Sequence, residues 1–296
     1  MKTTFRAKQP YAEILLETAR AFSCASPAKP LRFMQKMKEN QGFIGLISGK
    51  GPDEEGLERK NPLIVALGDS VTAGHFESLV PEEQTQVEKF FACVRNPSQV
   101  PEGFVMPKAP EIVDARESYI EKFRERLIER FELTSVSVVN SGIAGDNLRS
   151  MAARMQRDVI RYQPDLVLIN GSLNWDKKLG STEEYQELLQ GMVQQLKQET
   201  DADIILLTPN GDLPNNSLFM KMLGQGGIEP TTGERVKAIR KVAEEEQVCL
   251  ADVYAVWEAA REKGCPWKEL LSNGVNHPGV EGHEVYADVL MKLFEE

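Results

Sequence analysis

Short apolar runs alternate along this chain with longer stretches in which apolar residues recur every three or four positions. Leu63 to Leu67 is a continuous apolar run between Pro62 and Gly68, the pattern of a strand buried on both faces. Val136 to Val139, Leu166 to Ile169, Ile204 to Leu207 and Val248 to Val253 read the same way. Between them the period changes. Tyr119, Phe123, Leu127 and Phe131 stand four apart, so the spacing predicts an amphipathic helix over 118–131. Leu148, Met151, Ala152, Met155 and Val159 give the next helix its apolar face, which Pro164 ends. Further helices are predicted over Tyr185 to Lys197, Val236 to Glu246, from Trp257 to Lys263, and over Val280 to Phe294. Strand and helix alternate five times, which predicts a parallel sheet with helices on both faces. The expected fold class is α/β: a three-layer α/β/α arrangement around a flavodoxin-like five-stranded parallel sheet.

Residues 1–60 stand apart from that alternation. Tyr11 to Phe22 has helical spacing through Ile14, Leu15, Ala19 and Phe22, and Leu31 to Met37 offers a second helix. Gln41 to Lys60 is rich in glycine and charge and reads as a linker. The expected division is therefore a helical N-terminal extension and linker over 1–60 and a main domain over 61–296. Gly49-Lys50 is no phosphate loop, since the upstream glycine and the following Ser or Thr are missing. The main domain carries two irregular excursions, at about 75–116, with five prolines, and at 209–233. Excursions that long are uncommon unless functional, and the first comes directly after the first strand, where it can cover a site.

Composition narrows the class. The 296 residues are 41% hydrophobic and 27% charged, as in an ordinary globular chain. Lys plus Arg number 35 against 45 Asp plus Glu, a net charge of −10, which argues against nucleic acid and anionic membrane surfaces as partners. The four cysteines, Cys24, Cys93, Cys249 and Cys265, form no C-x-x-C pair and fit a reducing compartment. With no signal-peptide core and no apolar run long enough to span a bilayer, the expected location is cytoplasmic.

Small and polar residues concentrate where the first three strands end and before the last helix. These stretches are Gly68-Asp-Ser70, Asn140-Ser-Gly-Ile-Ala-Gly145, Asn170-Gly-Ser-Leu-Asn174 and Asn273-Gly-Val-Asn-His-Pro278. In a parallel sheet the strand ends share one edge, so the stretches can meet. Ester hydrolysis needs a nucleophile, a base and donors for the oxyanion. Ser70 can supply the first, His277 is the best placed of three histidines for the second, and Gly145 N–H and the Asn174 amide can supply the third. Each has a blander reading: Ser70 as a helix N-cap, His277 as a loop histidine held by backbone groups, Gly145 as a turn glycine, Asn174 as a cap. Asp69 and Asp146 read best as loop-fixing carboxylates, and His283 as structural. His75 and Trp175, with Phe76 and Phe104, are candidates for the substrate pocket or for the core. No metal-ligand spacing occurs, so neither metal nor cofactor is expected.

These four blocks, in this order, resemble the SGNH, or GDSL, hydrolase family of esterases and lipases, over roughly residues 61–294. The resemblance implies Ser70 as nucleophile, His277 as base, and an oxyanion hole made by the N–H groups of Ser70 and Gly145 with the side chain of Asn174. Two positions depart from the family pattern. Ser172-Leu-Asn-Trp175 stands where the family has Gly-x-Asn-Asp. In the last block Gly274 stands where the family has an aspartate three residues before the histidine. The expected machinery is therefore a Ser-His pair assisted by Asn273, which can hold an imidazole in one tautomer but cannot balance its charge.

The reading is thus a serine esterase or acylhydrolase acting on a small-molecule ester, whether lipid, acylated sugar or thioester. A catalytically impaired ligand-binding protein of the same fold is the alternative that the lost aspartate motivates. A phosphatase is disfavoured, because Asp201-Ala-Asp203 precedes the fourth strand instead of ending the first.

Overall fold

Within β1 (Leu63–Gly68), Leu63, Val65 and Leu67 enter one apolar cluster while Ile64 and Ala66 enter the other. That split is the two-residue period of a strand covered on both faces. It recurs in β5 (Leu166–Asn170), β6 (Asp203–Leu207) and β7 (Cys249–Ala251). Together with β4 (Ser137–Gly142) these strands form one parallel sheet in the order β4-β1-β5-β6-β7. Taken along the chain, that is the flavodoxin-like order 2-1-3-4-5, whose direction reverses beside β1. The computed structural model describes residues 4–41, 61–77, 111–132, 135–212 and 231–295. The expected linker over 41–60, apart from Gln41, lies outside these residues, as do 78–110 and 213–230 of the two excursions, Phe104 and Cys93.

Helices cover both faces. Those of one face are α5 (Leu148–Asp158), α6 (Thr182–Glu199) and α7 (Thr232–Glu246), which bury Met151, Met155, Leu189, Val193 and Val242 against Val65 and Val167. The other face holds α4 (Tyr119–Phe131), α8 (Val253–Glu262) and α9 (Val280–Lys292). Also on that face are α1 (Gln9–Ala21) and α2 (Leu31–Glu39), which place Leu15, Ala19, Phe33 and Met37 in the same cluster. Burying one such side chain stabilises the fold by about 1.5–3 kcal/mol.

Capping moves several helix starts ahead of their apolar periods. Ser181 with Glu184 and Thr231 with Glu234 form capping boxes, so α6 and α7 begin at Thr182 and Thr232. Asp252 accepts the Ala255 N–H and starts α8 at Val253, which shortens the expected fifth strand to Cys249–Ala251. The excursion expected to be irregular over 75–116 has ordered ends. β2 (His75–Glu77) pairs antiparallel with β3 (Glu111–Val113), and Asp114 N–H donates to Gly74 O at 2.9 Å. At the β7 edge, Leu250 N–H donates to Ser26 Oγ and Cys24 Sγ lies 3.2 Å from Leu250 O. The segment between α1 and α2 therefore occupies hydrogen-bonding groups that an edge strand would otherwise leave open.

Candidate active site

The turn after β1 is built by three consecutive residues. A Cβ on Gly68 would lie 2.0 Å from Thr72 Oγ1, so only glycine admits this close return of the chain. Asp69 is extended and caps the short helix α3 (Ser70–Ala73), its Oδ1 accepting the Val71 N–H at 3.0 Å. The cap is therefore Asp69, and Ser70 is the first helical residue. Its N–H belongs to the helix turn whose donors have no intrahelical acceptor. β4 runs close beside α3, since a Cβ on Gly142 would lie 2.3 Å from Ala73 N, and Asn140 Nδ2 donates to Thr72 O.

His277 comes from the other end of the chain. Its loop is closed by the Leu271–Pro278 bridge and by Ser272 N–H, which donates to His277 O at 2.8 Å. Asn273 Oδ1 accepts the N–H groups of Val275, Asn276 and His277, each at 3.0 Å, and Asn273 Nδ2 donates to Asn276 Oδ1. Asn273 thus grips His277 by its backbone. Asn210, which comes after β6, anchors the same loop by donating to Asn276 O. The result is a contact of 2.7 Å between Ser70 Oγ and His277 Nε2, both residues buried. A serine hydroxyl bonded to an imidazole can lose its proton to the ring as it attacks a carbonyl.

Gly145 and Asn174 lie together on the same edge. Gly145 has φ +73° and is exposed, with no atom of the described residues within 4 Å of where a Cβ would stand. The neighbouring Asp146 O accepts Asn174 Nδ2 at 2.9 Å. An amide has two N–H groups, and this contact is the one that the Asn174 side chain makes among the described residues, so it spends one of the two. Ile143 N–H donates to Gly68 O at 3.1 Å, which ties the Gly145 loop to the serine turn.

Charge under the site is concentrated in three groups. Asp69 is fully buried, with Oδ2 lacking a hydrogen-bond partner among the described residues. Burial pushes its carboxyl up to about 7, which the Val71 N–H and the nearby His277 oppose and Asp146 reinforces. Asp146 accepts Asn147 N–H and bonds Ser150 Oγ, so it does fix its loop. Arg154, a residue that no sequence motif singles out, is buried on α5. It bonds Asp146 through Nε at 2.8 Å and donates through Nη2 to Gly68 O at 3.1 Å. Its one signal in the sequence is a charge three positions from Met151, on the apolar stripe of its helix.

The remaining candidates divide. His75 is nearly buried at the start of β2, its ring centre 6.1 Å from that of His277. Trp175 is 1% exposed and sits in the core edge-on to Tyr185, its indole N–H donating to Gly180 O at 3.1 Å. His283 is fully buried and accepts the Tyr119 N–H, the first of α4, on Nδ1. Burial and the Lys122 and His277 charges lower its ring to about 3, so it is neutral. Among the described residues no group of three His, Cys, Asp or Glu is arranged to hold a metal ion, and no helix is long and apolar enough to cross a membrane.

Comparison with known proteins gives the family and the fold. The sequence profile of the GDSL-like lipase/acylhydrolase family matches residues 66–285. An acetylxylan esterase from Geobacillus stearothermophilus is 26% identical over 167 residues, covering 53% of this chain and 71% of that protein. Two solved structures share the fold. One is an acetylxylan esterase from the same organism, 22% identical with a TM-score of 0.51, covering 79% of this chain and 95% of that one. The other is LAE5, an α/β hydrolase enzyme from the metagenome of Lake Arreo, 23% identical with a TM-score of 0.52, covering 78% and 94%.

Proposed function

The chain belongs to the GDSL-like lipase/acylhydrolase family, and within it we propose a serine esterase that cleaves a carboxylic ester through an acyl-enzyme. The observation that carries this reading is the 2.7 Å contact between Ser70 Oγ and His277 Nε2 at the carboxyl edge of the sheet. In the proposed cycle Ser70 Oγ attacks the ester carbonyl carbon while His277 Nε2 takes the hydroxyl proton. The tetrahedral oxyanion accepts hydrogen bonds from the N–H groups of Ser70 and Gly145 and from the Asn174 amide. His277 then returns the proton to the departing alkoxide. Water, deprotonated by the same ring, releases the acid and restores Ser70. Asn273 holds the loop that presents the ring, and His75 borders it.

Acetyl esters of carbohydrate are the substrates to test first, because the acetylxylan esterase relative is named for that chemistry. Acyl lipids and thioesters are the other classes the same chemistry serves. Among the described residues Cys24, Cys249 and Cys265 form no disulfide with one another, which supports a cytoplasmic location.

The test is labelling with a fluorophosphonate, read by intact mass and peptide mapping, beside turnover of 4-nitrophenyl acetate and acetylated xylooligosaccharides. A single adduct on Ser70 that disappears in His277→Ala, together with ester turnover, is the expected result. Folded protein that neither labels nor turns over would favour the alternative of a ligand-binding protein that kept the fold without the catalysis.

A further inference from the structure

The three proposed oxyanion donors sit on separate segments: Ser70 after β1, Gly145 after β4 and Asn174 after β5. Something must fix their separations, since a catalytic constellation tolerates errors of only about 0.5 Å. We infer that Arg154 is the positioning residue that locks these segments together, an inference that rests on the esterase reading above.

Its guanidinium reaches two of the segments within two residues of a donor, and the third through the residue it holds. Nη2 donates to Gly68 O at 3.1 Å, the carbonyl two residues before Ser70. Nε and Nη2 also bond Asp146 Oδ2, at 2.8 and 2.6 Å, on the residue next to Gly145. The carbonyl of that same Asp146 accepts Asn174 Nδ2, so the third donor is anchored to the residue that Arg154 holds. The remaining nitrogen, Nη1, is fixed by Asp158 Oδ2 at 2.9 Å, one turn along α5. A guanidinium is planar and presents its donors in a fixed fork, so β1 and the Gly145 loop cannot shift independently while it is in place.

A purely structural ion pair would predict something else. Burying a charge pair contributes little net stability, and apolar residues of similar volume replace such pairs at no loss. If Arg154 served stability alone, removing both charges together would leave turnover per active site unchanged. If it positions the donors, turnover falls while ground-state binding, which makes no oxyanion contact, is spared.

The experiment uses the full chain in the Arg154→Lys and Arg154→Met/Asp146→Asn variants, alone and combined with Asn174→Ala. Sites are counted by fluorophosphonate labelling so that the unfolded fraction drops out. Three quantities are read: kcat and KM for 4-nitrophenyl acetate, inhibition by trifluoroacetone, whose Ser70 adduct mimics the tetrahedral intermediate, and the melting temperature. Lysine keeps the charge on one flexibly held nitrogen and loses the planar fork that bonds Asp146 through two nitrogens, and Asp158 through the third, while it holds Gly68 O. Arg154→Lys is therefore expected to lower kcat about tenfold with KM within threefold, and to weaken trifluoroacetone by the same factor. In the charge-free pair Asn174→Ala should cost less than about threefold, against about a hundredfold in the parent. Retention of kcat within twofold, or an equal Asn174→Ala cost in both backgrounds, overturns the inference. Arg154→Lys decides the matter by itself if the double variant does not fold. A parent protein that neither labels nor turns over instead overturns the esterase reading, and the positioning role with it.

Discussion

Ser70 Oγ and His277 Nε2 lie 2.7 Å apart across 207 residues of sequence. Each is held by its own local device: Asp69 caps the helix that begins at Ser70, and Asn273 collects three backbone N–H groups, including that of His277. Asn273→Ala removes that acceptor and leaves the His277 loop without it. It is expected to lower kcat/KM by about tenfold or more, and Asn273→Asp, which keeps the acceptor, should restore most of the activity. Steady-state kinetics with 4-nitrophenyl acetate checks both.

Asn174→Ala removes one proposed oxyanion donor, a loss that typically costs about 10²–10³ in kcat. KM should change little, because the contact forms as charge develops on the oxygen. Kinetics per fluorophosphonate-labelled serine distinguishes this from a loss of folded protein. Gly145→Ala is a different kind of change: no atom of the described residues would touch the new methyl, but φ is +73°, so the backbone that carries another proposed donor is strained.

Stability should depend on pH through two buried groups of opposite sign. Burial raises Asp69 from 3.8 to about 7, so the folded chain binds the extra proton and stability falls as pH rises through that window. Burial lowers His283 from 6.5 to about 3, so the unfolded chain binds the extra proton and stability rises with pH through that window. Between about pH 4 and 6.5 the two slopes oppose each other. Asp69→Asn, which can still accept the Val71 N–H, should steepen the loss of stability on acidification and raise stability at pH 8. His283→Asn leaves the Asp69 slope unopposed, so its stability should rise as pH falls from about 7 to 4. Urea midpoints from pH 4 to 8 for the parent and both variants measure this.

The N-terminal residues brace the helix that comes after His277. Val280 N–H donates to Phe5 O at 3.2 Å, and Ala7 N–H donates to the nearly buried Glu281 Oε2 at 3.0 Å. Glu281→Ala is expected to cost about 1.5–3 kcal/mol, the range for a hydrogen bond to a charged group. Glu281→Gln, which retains an acceptor, should cost less. Urea unfolding gives both values.

Leu15 and Leu31 test how firmly α1 and α2 join the core. Leu15 is fully buried and Leu31 is 65% exposed. Leu15→Ala should cost about 2–5 kcal/mol, and Leu31→Ala less than about 0.5 kcal/mol. A single unfolding transition in both variants is the expected form.

The elements, and the chemistry available to them, are legible in the chain alone. Runs such as Leu63 to Leu67 and Leu166 to Ile169 must be buried on both faces, and the four-residue spacing from Tyr119 to Phe131 must lie along one side of a helix. Those are local periodicities, fixed by backbone geometry alone. They also place Gly68-Asp-Ser70 and Asn140 to Gly145 at strand ends. Capping is harder to read: α7 starts at Thr232, four residues before its apolar period, because Thr231 and Glu234 satisfy each other's backbone. Which distant groups meet is settled only when the elements pack. Arg154 on Gly68 O, Asn174 on Asp146 O, Asn210 on Asn276 O and Phe5 on Val280 each join segments with no shared period. Trp175 likewise reads as pocket or core until α6 brings Tyr185 against it. A hydrogen-bond donor in a sequence has no direction. It acquires one when the fold sets its acceptor about 3 Å away, and that distance depends on how every intervening strand and helix packs.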